Sequence, residues 1–363
     1  MGGTSKGAPG SWEGHARYAG GSRRAEWTGV LVGVRQRTTR PRPGRGSRGE
    51  GVVVSGSKVL ALGHHQPPRV VTNADLAGMV DTSDEWIRSR VGIVTRRIAS
   101  TETVDELGAL AAEKALSAAG TTAADVDLVV VATCTATDHC PNTATRVAAR
   151  IGCPAPAAFD LNTACSGFCY ALATADHAIR AGAARTVLVV GVERMSAVTD
   201  WTDRSTCVLV GDGAAAAVVV PSEEPGIGPV LWGSAPELGH AIRIEGTPPV
   251  FAQEGQTVFR WAITAVADLA RRACELAGVA PEELAAFVPH QANLRIIEPL
   301  AKKLGITGVV ARDVVESGNT SAASVPLALS KLVERGELPS GAPVLLFGFG
   351  GGLTYAGQVI RCP

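Results

Sequence analysis

The fold is indicated by the stretch Ala115-Leu-Ser-Ala-Ala-Gly120, which precedes the apolar run Leu128–Val131. A similar stretch, Ala273-Cys-Glu-Leu-Ala-Gly278, lies 158 residues later and precedes Ala286–Pro289 at the same distance. Two further pairs are offset by 157 residues, namely Asn162-Thr163 with Asn319-Thr320 and Val187-Leu188 with Val344-Leu345. A near-constant offset through helix, strand and loop predicts a chain built from two duplicated halves.

The composition suits alternating helices and strands. Hydrophobic residues make up 46% of the chain but aromatic residues only 4%, so the interior must be built from Ala, Val, Leu and Ile. From residue 52 onward, short β-branched runs alternate with Ala-rich stretches, which is typical of a layered α/β fold. We place the two halves at residues 52–225 and 226–363. They can bury a shared helical layer and bring loops of both halves to one site.

The charges are balanced overall but unevenly distributed. The chain has 34 basic and 34 acidic side chains, yet residues 1–50 contain 10 basic and 3 acidic ones, so the remainder is net acidic. Residues 1–51 are rich in Gly, Arg, Ser and Pro without apolar periodicity, which predicts a disordered basic extension. An acidic body without a concentrated basic surface argues against nucleic acid as a partner.

Neither a membrane-spanning helix nor a metal site is expected. No apolar run approaches the roughly 20 residues that a membrane-spanning helix needs. The eight cysteines are scattered through a long chain without a secretory leader, which favours reduced thiols and a cytoplasmic protein. Cys134, His139, Cys140 and Cys153 are close in sequence but lack the paired spacing of a zinc site.

A candidate nucleophile lies in the segment Phe159-Asp-Leu-Asn-Thr-Ala-Cys-Ser-Gly-Phe168. A strand-like segment runs through small residues into a helix with an apolar face, so Cys165 falls at the N-terminal end of that helix. The helix dipole there is expected to lower the thiol pKa and give a reactive thiolate. The alternative is a buried cysteine that acts as a small hydrophobic residue.

Three segments of the second half end or follow strands on the same side. His290 follows the strand-like run Phe287-Val-Pro289 and precedes a predicted helix, Leu294–Leu304. Asn319 lies in the counterpart of the cysteine loop, where its amide can donate a hydrogen bond to an oxyanion. The glycine run Gly348-Phe-Gly-Gly-Gly352 can present backbone N–H groups to a substrate. The alternatives are a structural histidine, a helix cap and a simple turn.

These loops closely resemble those of β-ketoacyl-acyl carrier protein synthase III. The resemblance runs from about residue 57 to 361. Its motifs include Asn162-Thr-Ala-Cys-Ser-Gly-Phe168, Val288-Pro-His-Gln-Ala-Asn293, Gly318-Asn-Thr-Ser-Ala-Ala-Ser324 and Asp81-Thr-Ser-Asp-Glu-Trp-Ile87. It implies a thiolase-like duplicated five-layer α-β-α-β-α fold and a homodimer. It also implies decarboxylative condensation of an acyl-CoA primer with malonyl-acyl carrier protein, which initiates fatty acid synthesis.

The same resemblance assigns the catalytic roles. Cys165 would hold the acyl group, and His290 with Asn319 would stabilise the enolate that decarboxylation leaves. The backbone N–H groups of Cys165 and Gly351 would form the oxyanion hole. Phe349 would give the malonyl carboxylate an apolar environment. No cofactor is implied, because acyl-CoA and malonyl-acyl carrier protein are substrates.

Substrate-binding residues follow from the same resemblance. Trp86 and Arg204 would sandwich the adenine of CoA, assisted by Thr82 and Asn293. The carrier protein would dock on four cations, which are Arg260, Arg295, Lys302 and Lys303. Without the family context these four would be ordinary solvated charges.

The sequence departs from the family pattern at Cys140. Well-studied acetyl-specific members have a Phe there, which reaches across the dimer interface to end the acyl pocket. The smaller Cys140 predicts acceptance of branched or longer primers.

Other functions remain open. They are a polyketide starter-unit synthase, an acyltransferase of the same family in secondary metabolism, and a non-catalytic subunit that binds the carrier protein. Thiolase is disfavoured because Cys362 is poorly placed as a second catalytic cysteine, and two-histidine elongating synthases because Asn319 stands where they have a second histidine.

Overall fold

Two five-stranded sheets organise the chain. The structure is a computed structural model that describes residues 56–363, and these belong to one compact unit. The extension predicted at 1–51 lies outside the described residues.

The strands of this part of the chain are β1 (Gly56–His65), β2 (Val70–Thr72), β3 (Thr95–Arg97), β4 (Leu128–Ala132), β5 (Ala157–Leu161), β6 (Val187–Arg194), β7 (Asp212–Ser222), β8 (Leu231–Ser234), β9 (Ile242–Glu245), β10 (Val250–Gln253), β11 (Ala286–Pro289), β12 (Val309–Val310), β13 (Pro343–Phe349) and β14 (Thr354–Arg361). The helices are α1 (Asn73–Ala77), α2 (Asp84–Val91), α3 (Val104–Ala118), α4 (Thr143–Arg150), α5 (Gly167–Arg180), α6 (Arg204–Cys207), α7 (Gly255–Trp261), α8 (Ala267–Ala277), α9 (Leu294–Leu304), α10 (Val314–Ser317) and α11 (Ser324–Glu334). A π-helical turn, Ala262–Val266, joins α7 to α8.

The two sheets have the same order. The first is β1-β7-β6-β4-β5 and the second is β8-β14-β13-β11-β12. In both, the three strands at one end pair in parallel and the remaining neighbours are antiparallel. The duplication read from the sequence is therefore a duplication of sheet topology, with β4 and β11 starting at the matched positions Leu128 and Ala286. The boundary placed between residues 225 and 226 lies between β7 and β8.

The helices form three layers around the sheets. One core cluster joins residues of both sheets to α5 and α11, so these two helices lie between the sheets. The outer face of the first sheet packs on α3 and α4, and that of the second packs on α8 and α9. This arrangement is the expected five-layer α-β-α-β-α fold.

Burial on both faces explains the continuous valine runs. On β4, Val130 faces the central helices while Val129 and Val131 face the outer ones, and all three are fully buried. Strands covered by helices on both sides read as unbroken apolar stretches. Among residues 56–363, no helix is long and apolar enough to cross a membrane.

The helix that follows the candidate nucleophile is held by an apolar stripe. Phe168, Leu172, Ala175 and Ile179 recur at helical spacing on α5, and each is at most 1% exposed. Burying a Phe, Leu or Ile side chain contributes about 1.5–3 kcal/mol. This packing fixes α5, and with it the start of the helix, between the two sheets.

Candidate active site

Cys165 lies in a 3-10 turn, Ala164–Ser166, between β5 and α5. Ala164 just before it has a φ of 44°, and the repeat-related residue Ser321 has a φ of 45°, so both loops use the same left-handed step. The Cys165 side chain is buried and its sulfur lies 3.7 Å from the Ser321 hydroxyl. Gly348 on β13 packs so closely that a Cβ there would lie 2.8 Å from the Cα of Ser166. The nucleophile loop is thus held by the other half.

The expectation of a lowered thiol pKa at Cys165 was wrong. Burial raises the pKa of this thiol to about 11, and the charge of Glu193 also raises it. The Ser321 hydroxyl and the backbone N–H groups of Gly351 and Cys165 oppose the rise without cancelling it. The position before a helix therefore does not compensate for the loss of water around the sulfur. Resting Cys165 is therefore a thiol, and a nucleophilic role would require a proton acceptor.

His290 follows β11 at the floor of the same site. It is 2% exposed, and its backbone N–H donates to the carbonyl of Phe347. Nδ1 lies 2.7 Å from the Ser324 hydroxyl oxygen. The Phe349 ring packs edge-to-face against the imidazole, with 5.5 Å between the ring centres. Burial lowers the pKa of His290 to about 3. The imidazole is therefore neutral at physiological pH and offers one N–H donor.

Asn319 is fixed by its backbone. Its N–H donates to the Leu209 carbonyl at 2.8 Å, and its own carbonyl accepts from the Gly211 N–H at 3.0 Å. The side-chain Oδ1 accepts from the Ser321 N–H at 2.9 Å. With its oxygen engaged, the amide is oriented so that its nitrogen remains available as a donor.

One cavity collects these groups. Its volume is about 720 Å³, and residues of both halves line it, among them Cys165, His290, Asn319, Phe349 and Gly351. The structure thus brings together every residue that the sequence assigned to catalysis. Among residues 56–363, no cluster of three or more His, Cys, Asp or Glu side chains is arranged to hold a metal ion.

The predicted CoA residues are only partly assembled. Trp86 and Asn293 line the cavity, and the Asn293 side chain also caps α9 by accepting from the Ile296 N–H. The Arg204 guanidinium lies 4.9 Å from the centre of the Trp86 ring. This direct contact leaves no space for an adenine between them, so a sandwich requires Arg204 to move. Thr82 lies nearby in sequence, and its buried hydroxyl has no hydrogen-bond partner.

The four predicted carrier-protein cations are exposed on α7 and α9. Arg295 lines the cavity at the start of α9, with its guanidinium 5.8 Å from the Phe259 ring centre. Lys302 and Lys303 lie in the last turn of the helix, where Lys303 pairs with Asp268 at 3.4 Å. Arg260 follows Phe259 on α7.

The two other cysteines that the sequence analysis considered for a role in substrate binding or catalysis, Cys140 and Cys362, do not line the cavity. Cys140 is exposed and does not line the cavity of its own chain. Cys362 is buried in the core between the sheets, which separates it from the site and agrees with rejecting a thiolase role.

The sequence reading missed Ser321, Ser324, Cys134 and Glu193. Glu193 is the penultimate residue of the valine-rich strand β6 and is completely buried, and its carboxylate contacts Cys134 and Ser321 of the cavity wall. A charged residue near the end of an otherwise apolar buried strand, on the strand that follows α5, is the signal that could have identified it.

Comparisons with known proteins point to one family. Residues 159–236 match the family model described as 3-oxoacyl-[acyl-carrier-protein (ACP)] synthase III, and residues 274–362 match its C-terminal counterpart. The chain is 71% identical over 313 residues to β-ketoacyl-[acyl-carrier-protein] synthase III 4 of Streptomyces coelicolor, covering 85% of this chain and 99% of that protein. It is 69% identical to synthase III 2 of Streptomyces avermitilis, covering 85% of this chain and all of the relative.

Solved structures show the same similarity. The priming β-ketosynthase of the R1128 polyketide biosynthetic pathway superposes with a TM-score of 0.83 at 45% identity, covering 85% of this chain and 96% of the other. The 3-oxoacyl-[acyl-carrier-protein] synthase III of Aquifex aeolicus superposes with a TM-score of 0.82 at 41% identity, covering 84% and 100%.

Proposed function

The chain belongs to the β-ketoacyl-[acyl-carrier-protein] synthase III family, and we propose that Cys165, His290 and Asn319 carry out its condensation. The reaction joins an acyl-CoA primer to malonyl-acyl carrier protein with loss of CO₂. The observation that supports this assignment of roles is the single cavity in which these three residues, Gly351 and Phe349 meet.

The first half-reaction is acyl transfer to sulfur. Cys165 attacks the thioester carbonyl of the acyl-CoA, and the tetrahedral intermediate carries a negative oxygen. The N–H groups of Cys165 and Gly351, which interact with the sulfur, would bind that oxygen. CoA leaves, and the acyl group remains on Cys165. Splitting the condensation in this way replaces one difficult step with two easier ones.

The second half-reaction is decarboxylation and carbon–carbon bond formation. The thioester oxygen of malonyl-acyl carrier protein accepts hydrogen bonds from His290 and Asn319, which stabilise the enolate as CO₂ leaves. The buried Phe349 ring places the carboxylate in an apolar environment, which favours its loss as a neutral molecule. The enolate carbon attacks the acyl carbon, and the bond from that carbon to the Cys165 sulfur breaks. The Cys165 thiolate takes a proton from solvent, and β-ketoacyl-acyl carrier protein is released.

A neutral histidine suits the second half-reaction. Since burial lowers the pKa of His290 to about 3, the ring donates a hydrogen bond without first carrying a charge. We assign the tautomer in which Nδ1 accepts from the Ser324 hydroxyl, because the same oxygen already accepts from the Gln291 N–H at 3.3 Å. The proton then lies on Nε2, which is free to donate to the substrate.

Enzymes of this family act with acyl carrier protein and acyl-CoA, and we assign the contacts as follows. CoA is bound by Trp86, Arg204, Thr82 and Asn293. The Arg204 side chain moves away from the Trp86 indole so that the adenine can bind between them. The acidic carrier protein docks on Arg260, Arg295, Lys302 and Lys303.

The proposed reaction needs no cofactor or metal. We place it in the cytoplasm, where Cys165 stays reduced.

We also propose a homodimer. Strand β5 is an edge of the first sheet, and its Phe159 is 38% exposed. A second copy paired along this edge would cover the ring and bring its exposed Cys140 towards the acyl pocket. With Cys140 in place of a larger residue, the pocket would accept branched or longer primers.

A second candidate is priming of a polyketide pathway. It is favoured by the 45% identity to the R1128 priming ketosynthase. The chemistry is the same, so the two functions differ in primer and carrier protein. Turnover with carrier proteins of the two pathways separates them.

The test is to incubate the enzyme with a mixed pool of acyl-CoA primers and weigh the intact protein. We expect one acyl adduct on the wild-type protein, with the mass of a branched or medium-length primer, and none on Cys165→Ala. An adduct on Cys165→Ala would refute the assignment of the nucleophile. An acetyl adduct alone would refute the enlarged pocket.

A further inference from the structure

The site contains a buried carboxylate next to the nucleophile that the condensation mechanism leaves unused. Glu193 Oε1 accepts a hydrogen bond from the Ser321 hydroxyl at 3.0 Å, and the same hydroxyl lies 3.7 Å from the Cys165 sulfur. The three groups therefore form a continuous chain from thiol to hydroxyl to carboxylate. We propose that Ser321 and Glu193 form a proton relay that takes the proton of Cys165 during acylation. This inference rests on the proposed function.

The surroundings of Glu193 suit a carboxylate, because both of its oxygens accept hydrogen bonds. The two carboxylate oxygens accept hydrogen bonds from the Thr133 and Thr135 hydroxyls, the Cys134 N–H and thiol, the Ala322 N–H and the Ser321 hydroxyl. Complete burial raises the pKa of Glu193, and these hydrogen bonds oppose the rise. A carboxylate in this balance can accept a proton more readily than an exposed one.

The number of new charges that the proton transfer creates favours Glu193 over His290 as the acceptor. Moving a proton from Cys165 to His290 would create two new charges on two buried side chains. Moving it to Glu193 transfers one existing negative charge from oxygen to sulfur. Since separating new charges in a buried site is costly, the carboxylate is the better acceptor. His290 also has a strongly lowered pKa and stays neutral, as the second half-reaction requires.

The step balances as follows. The thiol proton passes to the Ser321 oxygen as the Ser321 proton passes to Glu193 Oε1, and the thiolate forms a bond to the thioester carbon. When the tetrahedral intermediate collapses, the bond from that carbon to the CoA sulfur breaks. The proton returns from Glu193 through Ser321 to this sulfur, and CoA leaves as a thiol. Glu193 is again a carboxylate, and Cys165 carries the acyl group.

The structure supplies a conservative variant for the test. Ser321 has a φ of 45°, and the repeat-related residue Ala164 adopts a φ of 44°. Alanine is therefore compatible with this backbone, so Ser321→Ala should fold even where Glu193→Gln does not. Ser330→Ala is the matched control, because Ser330 is a buried serine that contacts His64 at 2.9 Å, away from the cavity.

The experiment measures the two half-reactions separately. Single-turnover acylation is followed by mass with a primer that the wild type accepts, and condensation is then measured on fully acylated protein with malonyl-acyl carrier protein. Ser321→Ala and Glu193→Gln should acylate about 100-fold more slowly, which is the usual loss on removing a general base. Their condensation rates should stay at the wild-type value, as should both rates of Ser330→Ala.

Three results would overturn the relay. If Glu193 only repels the thiolate, Glu193→Gln will acylate faster than wild type, because its charge raises the pKa of Cys165. If the residues are only structural, both half-reactions will slow together. Acylation of both variants at the wild-type rate also excludes the relay. By contrast, a wild-type protein that forms no acyl adduct would overturn the proposed function itself.

Discussion

Gly350 offers a sharp test of how the nucleophile is held. A Cβ at this position would lie 2.7 Å from both the Cβ and the sulfur of Cys165. The backbone there has φ 155° and ψ −120°, a region that residues with a side chain rarely adopt. Gly350→Ala therefore combines a steric clash with backbone strain, and either form of relief moves the sulfur or the glycine loop.

The size of the effect follows from those two costs. Strained backbone of this kind costs about 1–3 kcal/mol, and overpacking by one methyl group costs about 1–3 kcal/mol. The sum is about 2–6 kcal/mol, and the lower limit corresponds to a loss of about 30-fold if it falls on the transition state. We expect Gly350→Ala to acylate at least about 30-fold more slowly in a single-turnover assay followed by intact mass.

Gly255→Ala is the matched control for Gly350→Ala. Gly255 lines the same cavity, but its added Cβ would have no atom within 4 Å and its φ is not in the strained range. It should acylate at the wild-type rate. If Gly350→Ala also acylates within about threefold of wild type, then the close packing of the glycine loop on Cys165 is not what positions the sulfur.

Three further outcomes are expected. Cys140→Phe should lower kcat/KM for branched primers about tenfold relative to acetyl-CoA, since the loss of pocket volume resembles the exclusion of one or two methylenes; an unchanged primer ratio, measured by competition, would contradict the pocket assignment. The condensation step should show no inflection near pH 6.5, because burial lowers the pKa of His290 to about 3 and the ring becomes protonated only as the pH falls towards that value. A rate on isolated acyl-enzyme that falls between pH 7 and pH 6 would contradict it. Lys302→Glu should raise the KM for malonyl-acyl carrier protein severalfold at low salt and leave that for the acyl-CoA primer unchanged, so equal shifts in both would exclude docking at α9.

Much of the fold was accessible from the sequence because it depends on local patterns. The repeat offset matched β4 to β11, and the helix predicted at Leu294–Leu304 is α9 with the same bounds. Placing Cys165, His290 and Asn319 together needed only the rule that loops following equivalent strands lie on one side. These inferences rest on periodicity and duplication, both of which are visible in one chain.

The parts that could not be predicted depend on burial and long-range packing. Helix position alone indicated a low thiol pKa for Cys165, but desolvation has the larger effect, and residues that pack on the sulfur, such as Gly350, lie more than 100 positions away. Glu193 becomes part of the site through its contact with Ser321, which lies 128 positions away in the second half. Likewise, the contact of Arg204 with Trp86 follows from the approach of α6 to α2.

The central claim is that Cys165 carries the primer between two half-reactions in one cavity. The most direct measurement isolates the acyl-enzyme free of acyl-CoA and adds one equivalent of malonyl-acyl carrier protein. We predict stoichiometric loss of the adduct from Cys165 together with equal amounts of CO₂ and β-ketoacyl-acyl carrier protein. An adduct that persists, or that moves to the carrier protein without release of CO₂, would contradict the account.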